Sequence, residues 1–185
     1  MRNFAKFKKL TPKERGYILG FYVGDGNIFV KKETGVYRIK FFLYKKEKNI
    51  EENIKQMLMK LGINTRIYNW KNNTRVIEMH SKDVVAYIRQ RTTKNGLTMT
   101  TSSKPFLKGY IEGLIDSDGY VQRNYTEITT CNYKLKKQIM HILCILKIKH
   151  NLREYTSPIS GRVGWRVGFS LKNNFFKPLK WVFSP

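Results

Sequence analysis

Two acids in this chain stand at the ends of matching segments. Gly16-Tyr17-Ile18-Leu19-Gly20-Phe21-Tyr22-Val23-Gly24-Asp25-Gly26 returns as Gly109-Tyr110-Ile111-Glu112-Gly113-Leu114-Ile115-Asp116-Ser117-Asp118-Gly119. Each is an apolar run with a small residue at every fourth position, closed by Asp-Gly. One Asp-Gly is an ordinary helix stop followed by a turn. Two copies on matched segments point instead to a shared role for Asp25 and Asp118. Carboxylates brought to one point suit Mg²⁺, which takes one or two of them and fills its octahedron with water and phosphate oxygens.

The spacing says what positions them. Gly16, Gly20 and Gly24 share one helical face, and so do Gly109, Gly113 and Ser117. Glycine within a helix costs about 1 kcal/mol relative to alanine, so a stripe of them predicts close approach of a second helix. These runs fall short of the ~20 apolar residues that a bilayer span needs, and Glu112 and Asp116 interrupt the second. Thr11-Pro12-Lys13-Glu14 reads as a capping box with proline at the first helical position, and Ser102 or Ser103 is expected to cap the second helix. Gly26 and Gly119 are expected as left-handed C-terminal residues. Asp25 and Asp118 then sit at helix C-termini, where the dipole disfavours negative charge. If the helices pack in parallel, the acids also repel each other, and a divalent cation would relieve both problems.

At these residues the chain resembles the LAGLIDADG homing endonucleases. Ile111–Gly119 is the closer motif; Ile18–Gly26 is looser and carries Val23 where the family often has an acid. The resemblance implies a monomeric, Mg²⁺- or Mn²⁺-dependent endodeoxyribonuclease, encoded by a mobile intron or intein, that cuts both DNA strands and leaves 3′ overhangs. It implies Asp25 and Asp118 as catalytic metal ligands, with the backbone carbonyls of Gly24 and Ser117 as further ligands. Related folds serve as RNA splicing maturases and as non-catalytic DNA-binding regulators, which is the alternative reading.

Charge points the same way. The 185 residues carry 36 Lys and Arg against 13 Asp and Glu, a formal charge of +23. That excess predicts a polyanionic partner, with phosphate contacts dominating affinity. A thermophile surface rich in lysine would carry matching glutamates. Cys131 and Cys144 have no metal-site spacing, and His80, His141 and His150 form no recognisable cluster. An intracellular, reduced setting follows, in a prokaryotic cytoplasm or nucleoid or in an organelle. Neither a signal peptide nor a membrane partner is expected, and Met1–Leu10, basic and mildly amphipathic, reads as a short flexible arm.

The repeat extends past the motif. Strands over Asn27–Lys31 and Val36–Tyr44 turn near Thr34-Gly35. A helix follows with Ile50, Ile54, Met57, Leu58 and Leu61 on one stripe, stopped at Gly62. Arg66–Trp70 and Arg75–Met79 form a hairpin around Asn72-Asn73, and Val84, Val85 and Ile88 lie on a closing helix. In the second half Leu135, Ile139, Ile142, Leu143 and Leu146 repeat the stripe at a smaller offset than the motif acids, so the hairpin before it is shorter. Leu152–Tyr155 and Trp165–Leu171 follow as strands, and Phe175, Phe176 and Leu179 start a closing helix limited by Pro178. The expected fold is α+β: a pseudo-two-fold pair of αββαββα halves with antiparallel sheets. The halves cover residues 1–92 and 104–185, joined by a linker over 93–103.

Strand alternation places Ile39, Phe41 and Leu43 toward the helices and Arg38, Lys40, Phe42 and Tyr44 on the other side. The resemblance makes that outer face a saddle along the DNA major groove, where Arg and Lys pair with guanine edges and Gln with adenine. The expected DNA contacts are Lys31, Arg38, Lys40, Arg66, Tyr68, Arg75, Gln122, Arg123, Thr129, Arg153, Arg162 and Arg166. Lys45 and Lys46 end the second strand, where family members often hold groups that organise water at the scissile phosphate, and they are catalytic candidates on that ground. Their second-half counterparts, Thr130 and Cys131, are not basic.

Overall fold

Thr11 opens α1 (Pro12–Asp25) with the expected box. Its hydroxyl accepts from the Glu14 amide at 3.2 Å, while Glu14 Oε2 accepts from the Thr11 amide at 2.8 Å. Such caps contribute about 1 kcal/mol. The structure is a computed structural model and describes residues 4–98, 103–156, 161–171 and 175–180.

After α1 come β1 (Gly26–Lys31), β2 (Val36–Tyr44), α2 (Lys48–Lys60), β3 (Thr65–Asn69), β4 (Thr74–His80) and α3 (Lys82–Arg91). A tight hairpin, β5 (Thr92–Thr93) and β6 (Gly96–Leu97), follows at the start of the expected linker. The second half holds α4 (Lys104–Asp118), β7 (Gly119–Gln122), β8 (Tyr125–Thr130), α5 (Tyr133–Ile145), β9 (His150–Thr156) and β10 (Val163–Ser170). Both large sheets are antiparallel and share one strand order, β1-β2-β4-β3 and β7-β8-β10-β9. The β7–β8 hairpin pairs strands of 4 and 6 residues against 6 and 9 in β1–β2. That is the shortening the smaller repeat offset predicts.

Local chemistry sets the turns. Gly35 joins β1 to β2 with φ of +66°, and Asn72 and Asn73 take φ of 52° and 62° between β3 and β4. Asparagine visits that left-handed region more readily than most residues. The inner face of β2 buries Ile39, Phe41 and Leu43, as alternation requires. These residues join one core with α1, α4 and the stripes of α2 and α5. No described helix is long and apolar enough to cross a membrane.

Residues Ala5–Lys9 are not a free arm: they form a short 3-10 helix, with Phe7 buried and stacked on Tyr87 of α3 and Leu10 buried beside them. Two further expectations change. Gly26 and Gly119 are extended, with φ of −95° and −81°, because each helix passes directly into a strand. Glycine is needed there for space: a Cβ on Gly119 would lie 2.6 Å from the Ile115 carbonyl oxygen. The second is the closing helix of the second half. Residues 175–180 form no helix. Pro178 has no amide to give, and the amides of Lys177, Leu179 and Lys180 go to Glu112 and Asp116 on α4. Phe175, Phe176 and Leu179 still pack on the core. Ser103 is the N-cap residue of α4; Ser102 lies outside the described residues.

Candidate active site and nucleic-acid face

The glycine stripes meet. A Cβ on Gly16 would overlap the Phe106 carbonyl oxygen, one on Gly20 that of Tyr110, one on Gly109 that of Lys13, and one on Gly113 that of Tyr17. Contacts advance together along both chains, so α1 and α4 run parallel, backbone against backbone. Their C-terminal ends therefore coincide. A Cβ on Gly24 would strike Ser117 and lie 2.9 Å from Asp118 Oδ2. Asp118 thus packs against the last turn of α1, beside Asp25.

Burial and proximity show in the acids' protonation. Burial, then the Asp118 charge and more weakly Glu47, push Asp25 up to about 6 from 3.8, while Lys180 and Lys94 pull it down. Asp118 is exposed at its outer edge, yet desolvation against the helix ends raises it as well, again against Lys180 and Lys94. Two carboxylates strained toward the neutral form are a donor set that a hard divalent cation would fit.

The two lysines were not singled out from the sequence. Lys94, in the turn between β5 and β6, donates to the carbonyls of Tyr22, Val23 and Gly24 at 2.8, 3.1 and 3.2 Å. Lys180 donates to the Ser117 carbonyl at 2.6 Å. Each ammonium satisfies orphan carbonyls at the end of one central helix, where the dipole favours a cation. Desolvation lowers the Lys94 pKa, opposed by Asp118 and Asp25. The Gly24 and Ser117 carbonyls, expected as metal ligands, are therefore already engaged by ammonium groups. In a chain this basic no single lysine stands out; only the repeat, which puts both near the ends of equivalent halves, could have marked them.

Lys45 and Lys46 lie exposed in the turn after β2. The cations acting on Asp25 are Lys180 and Lys94, and the neighbour of Lys46 that reaches Asp25 electrostatically is an acid, Glu47. Glu47 is the N-cap residue of α2 and accepts from the Tyr44 amide at 2.8 Å.

Strand register places Lys31, Arg38, Lys40, Arg66 and Tyr68 on the outer face of the first sheet. Aromatic rings carry their charges. The Arg38 guanidinium lies 4.9 Å from the Phe29 ring centre, Lys40 lies 5.1 Å from that of Trp70, and Arg66 lies 5.4 Å from that of Tyr68. Glu78 sits among them, bonded to Lys40 at 3.2 Å and Tyr68 at 3.0 Å. Despite burial, Lys40, His80 and Tyr68 hold its carboxyl below the usual range. On the second sheet Gln122, Thr129, Arg153 and Arg166 share the outer face, and Arg166 pairs with both Thr129 and Arg153. Arg123 occupies the β7–β8 turn with φ of 47°, and Arg162 directly precedes β10. Arg75 is the exception. It pairs with Leu43 on the inner face, and its guanidinium binds Glu51 of α2 and Asn69. Alternation from Lys40 could have shown this only with the β2–β4 register in hand.

Comparison with known proteins agrees with this architecture. A LAGLIDADG-like domain matches residues 12–91 and again 105–177. An uncharacterized protein of Methanocaldococcus jannaschii is 32% identical over 139 residues, which is 72% of this chain and 48% of that protein. The chain thus spans about half the length of this relative. The fold is that of the homing endonuclease I-DmoI, with a TM-score of 0.65 at 17% identity over 89% of this chain and 93% of that one. I-DmoI structures hold DNA with Mn, and a variant holds its target DNA in the presence of Mg. The N-terminal LAGLIDADG domain of WhiA shares the fold at a TM-score of 0.56 and 13% identity, over 92% of this chain and 85% of that one. Each half of this sequence matches the domain in its own right, and the two together fill the fold; the chain belongs to the LAGLIDADG family.

Proposed function

We propose that this protein is a site-specific homing endonuclease that hydrolyses one phosphodiester bond in each strand of duplex DNA, leaves 3′ overhangs, and acts as a monomer encoded by a mobile intron or intein. The observation that carries this reading is the convergence of Asp25 and Asp118, one from the end of each parallel helix, beside the ammonium groups of Lys94 and Lys180. A fold kept only for binding has no need to hold two acids in a state this unfavourable.

Asp25 and Asp118 are the assigned ligands of Mg²⁺ or Mn²⁺. When bound, the cation would supply an activated water and steady the leaving oxygen. The Gly24 and Ser117 carbonyls are left to the lysines. Lys94 and Lys180 hold positive charge beside the acids, where it opposes the negative charge that builds on a phosphate under attack. The pseudo-two-fold gives each strand one half of the site. The outer faces of the sheets supply the DNA contacts. Arg38 supports this, its guanidinium carried on that outer face over the Phe29 ring.

Incubation with a randomised duplex library, with and without Mg²⁺, tests the reading and yields the target. Cutting at one sequence only with the metal is expected. Binding without cutting would favour a regulator, and assistance to intron splicing without the acids would favour a maturase.

A further inference from the structure

Helix α4 buries two carboxylates that α1 lacks. Glu112 and Asp116 are 2% and 1% exposed, and the residues at the same motif positions of α1 are Leu19 and Val23. Buried carboxylates persist only when their hydrogen-bonding capacity is filled. These are filled largely by one short segment. Glu112 Oε1 accepts from the Lys177 amide at 3.0 Å, and Asp116 Oδ1 accepts from the Leu179 and Lys180 amides at 2.8 and 2.9 Å. Pro178 has no amide, so every backbone donor from Lys177 to Lys180 ends on one of these two acids. From α1, Tyr17 donates to Asp116 Oδ2 at 2.8 Å, and the Lys13 ammonium lies 2.8 Å from Glu112 Oε2.

The first half needs no such device. Lys94 is presented by the β5–β6 hairpin, which Gln138 fixes through Leu97: its Oε1 accepts from the Leu97 amide at 2.7 Å and its Nε2 donates to the carbonyl at 2.9 Å. Lys180 lies in a segment with neither helix nor strand, yet its ammonium reaches the corresponding helix end.

We propose that Glu112 and Asp116 are positioning residues, a carboxylate clamp that aims Lys180 at the catalytic end of α4 and so supports one strand cut more than the other. This rests on the nuclease reading above. Lys180 touches the site; the clamp acts through it.

The test substitutes the residues of α1 into α4, as Asp116→Val and Glu112→Leu, and follows both strands of an end-labelled duplex separately. One strand should slow by about tenfold or more, the scale of losing one aimed donor, so that nicked product accumulates while DNA binding holds. Asp116→Asn keeps the accepting oxygen and should restore the second cut. Lys180→Met should reproduce the nicking, and adding Asp116→Val to it should change rates by less than about twofold. Equal slowing of both strands, or additive losses, would overturn the clamp while leaving the nuclease reading intact. Amide hydrogen exchange on the wild-type chain decides the geometry without any cleavage. The Leu179 and Lys180 amides should exchange as slowly as those within α4, and fast exchange would refute the proposal even if Asp116→Val does not fold.

Discussion

Lys94, in the hairpin between the halves, and Lys180, near the end of the second half, do the same thing at adjacent helix ends. Lys94 covers the Gly24 carbonyl at 3.2 Å, and Lys180 covers the Ser117 carbonyl at 2.6 Å. Each neutralises the negative end of a helix whose last side chain is an aspartate. Neither removes the strain on the acids, since Asp25 still titrates near 6. The site is thus balanced between two helix-end carboxylates and two ammonium groups, with room in that balance for a divalent cation.

That balance makes stability depend on pH. Asp25 holds its proton to about pH 6 in the folded chain, against 3.8 as the ordinary value. The folded state therefore binds more protons between those values, and the stability it gains in acid is lost as pH rises through about 6. In metal-free buffer at about pH 7.5, Asp25→Asn should raise unfolding free energy by on the order of 2 kcal/mol. The gain should vanish near pH 4. Chemical denaturation at the two pH values checks it. Mg²⁺ should stabilise the wild type and not the variant.

The helix interface tolerates no added carbon. A Cβ on Gly20 would overlap the Tyr110 carbonyl, which is backbone in a buried helix and cannot swing away. Alanine gains about 1 kcal/mol of helix propensity, yet Gly20→Ala should still lose about 2–3 kcal/mol because overpacking dominates. Thermal melts measure this, and an unchanged melting temperature would mean that the helices stand farther apart.

Arg66 and Arg75 separate DNA contact from folding. Arg66 faces outward over Tyr68, while Arg75 is bound to Glu51 beneath the sheet. Arg66→Ala should weaken DNA binding and lower the slope of log K against log salt by about 1. Arg75→Ala should leave that slope unchanged and cost about 1–3 kcal/mol of stability, by stranding Glu51. Salt titrations of binding alongside denaturation curves distinguish them.

The parts legible in the sequence were those that repeat or alternate. The glycine stripes of α1 and α4 gave the helix contact because backbone approach leaves no other residue type possible. The apolar stripes of α2 and α5 and the alternation in β2 follow from burial of one face. The inward face of Arg75 is not legible in the sequence, because it depends on which residue of β2 it opposes. The lack of a helix over residues 175–180 is hidden for a related reason: the amides there are taken by Glu112 and Asp116, far away in sequence. Lys94 and Lys180 stayed hidden because their role comes from where the chain returns, and a lysine in a chain of charge +23 carries no local mark.

Asp25 and Asp118 are proposed to form one metal-dependent cleavage site. Strand cleavage of the target duplex in Mg²⁺ by the wild type, Asp25→Asn and Asp118→Asn tests it most directly, with binding measured in parallel. Double-strand cutting by the wild type and none by either variant is expected, with DNA bound by all three. Full double-strand cutting by either variant would contradict it.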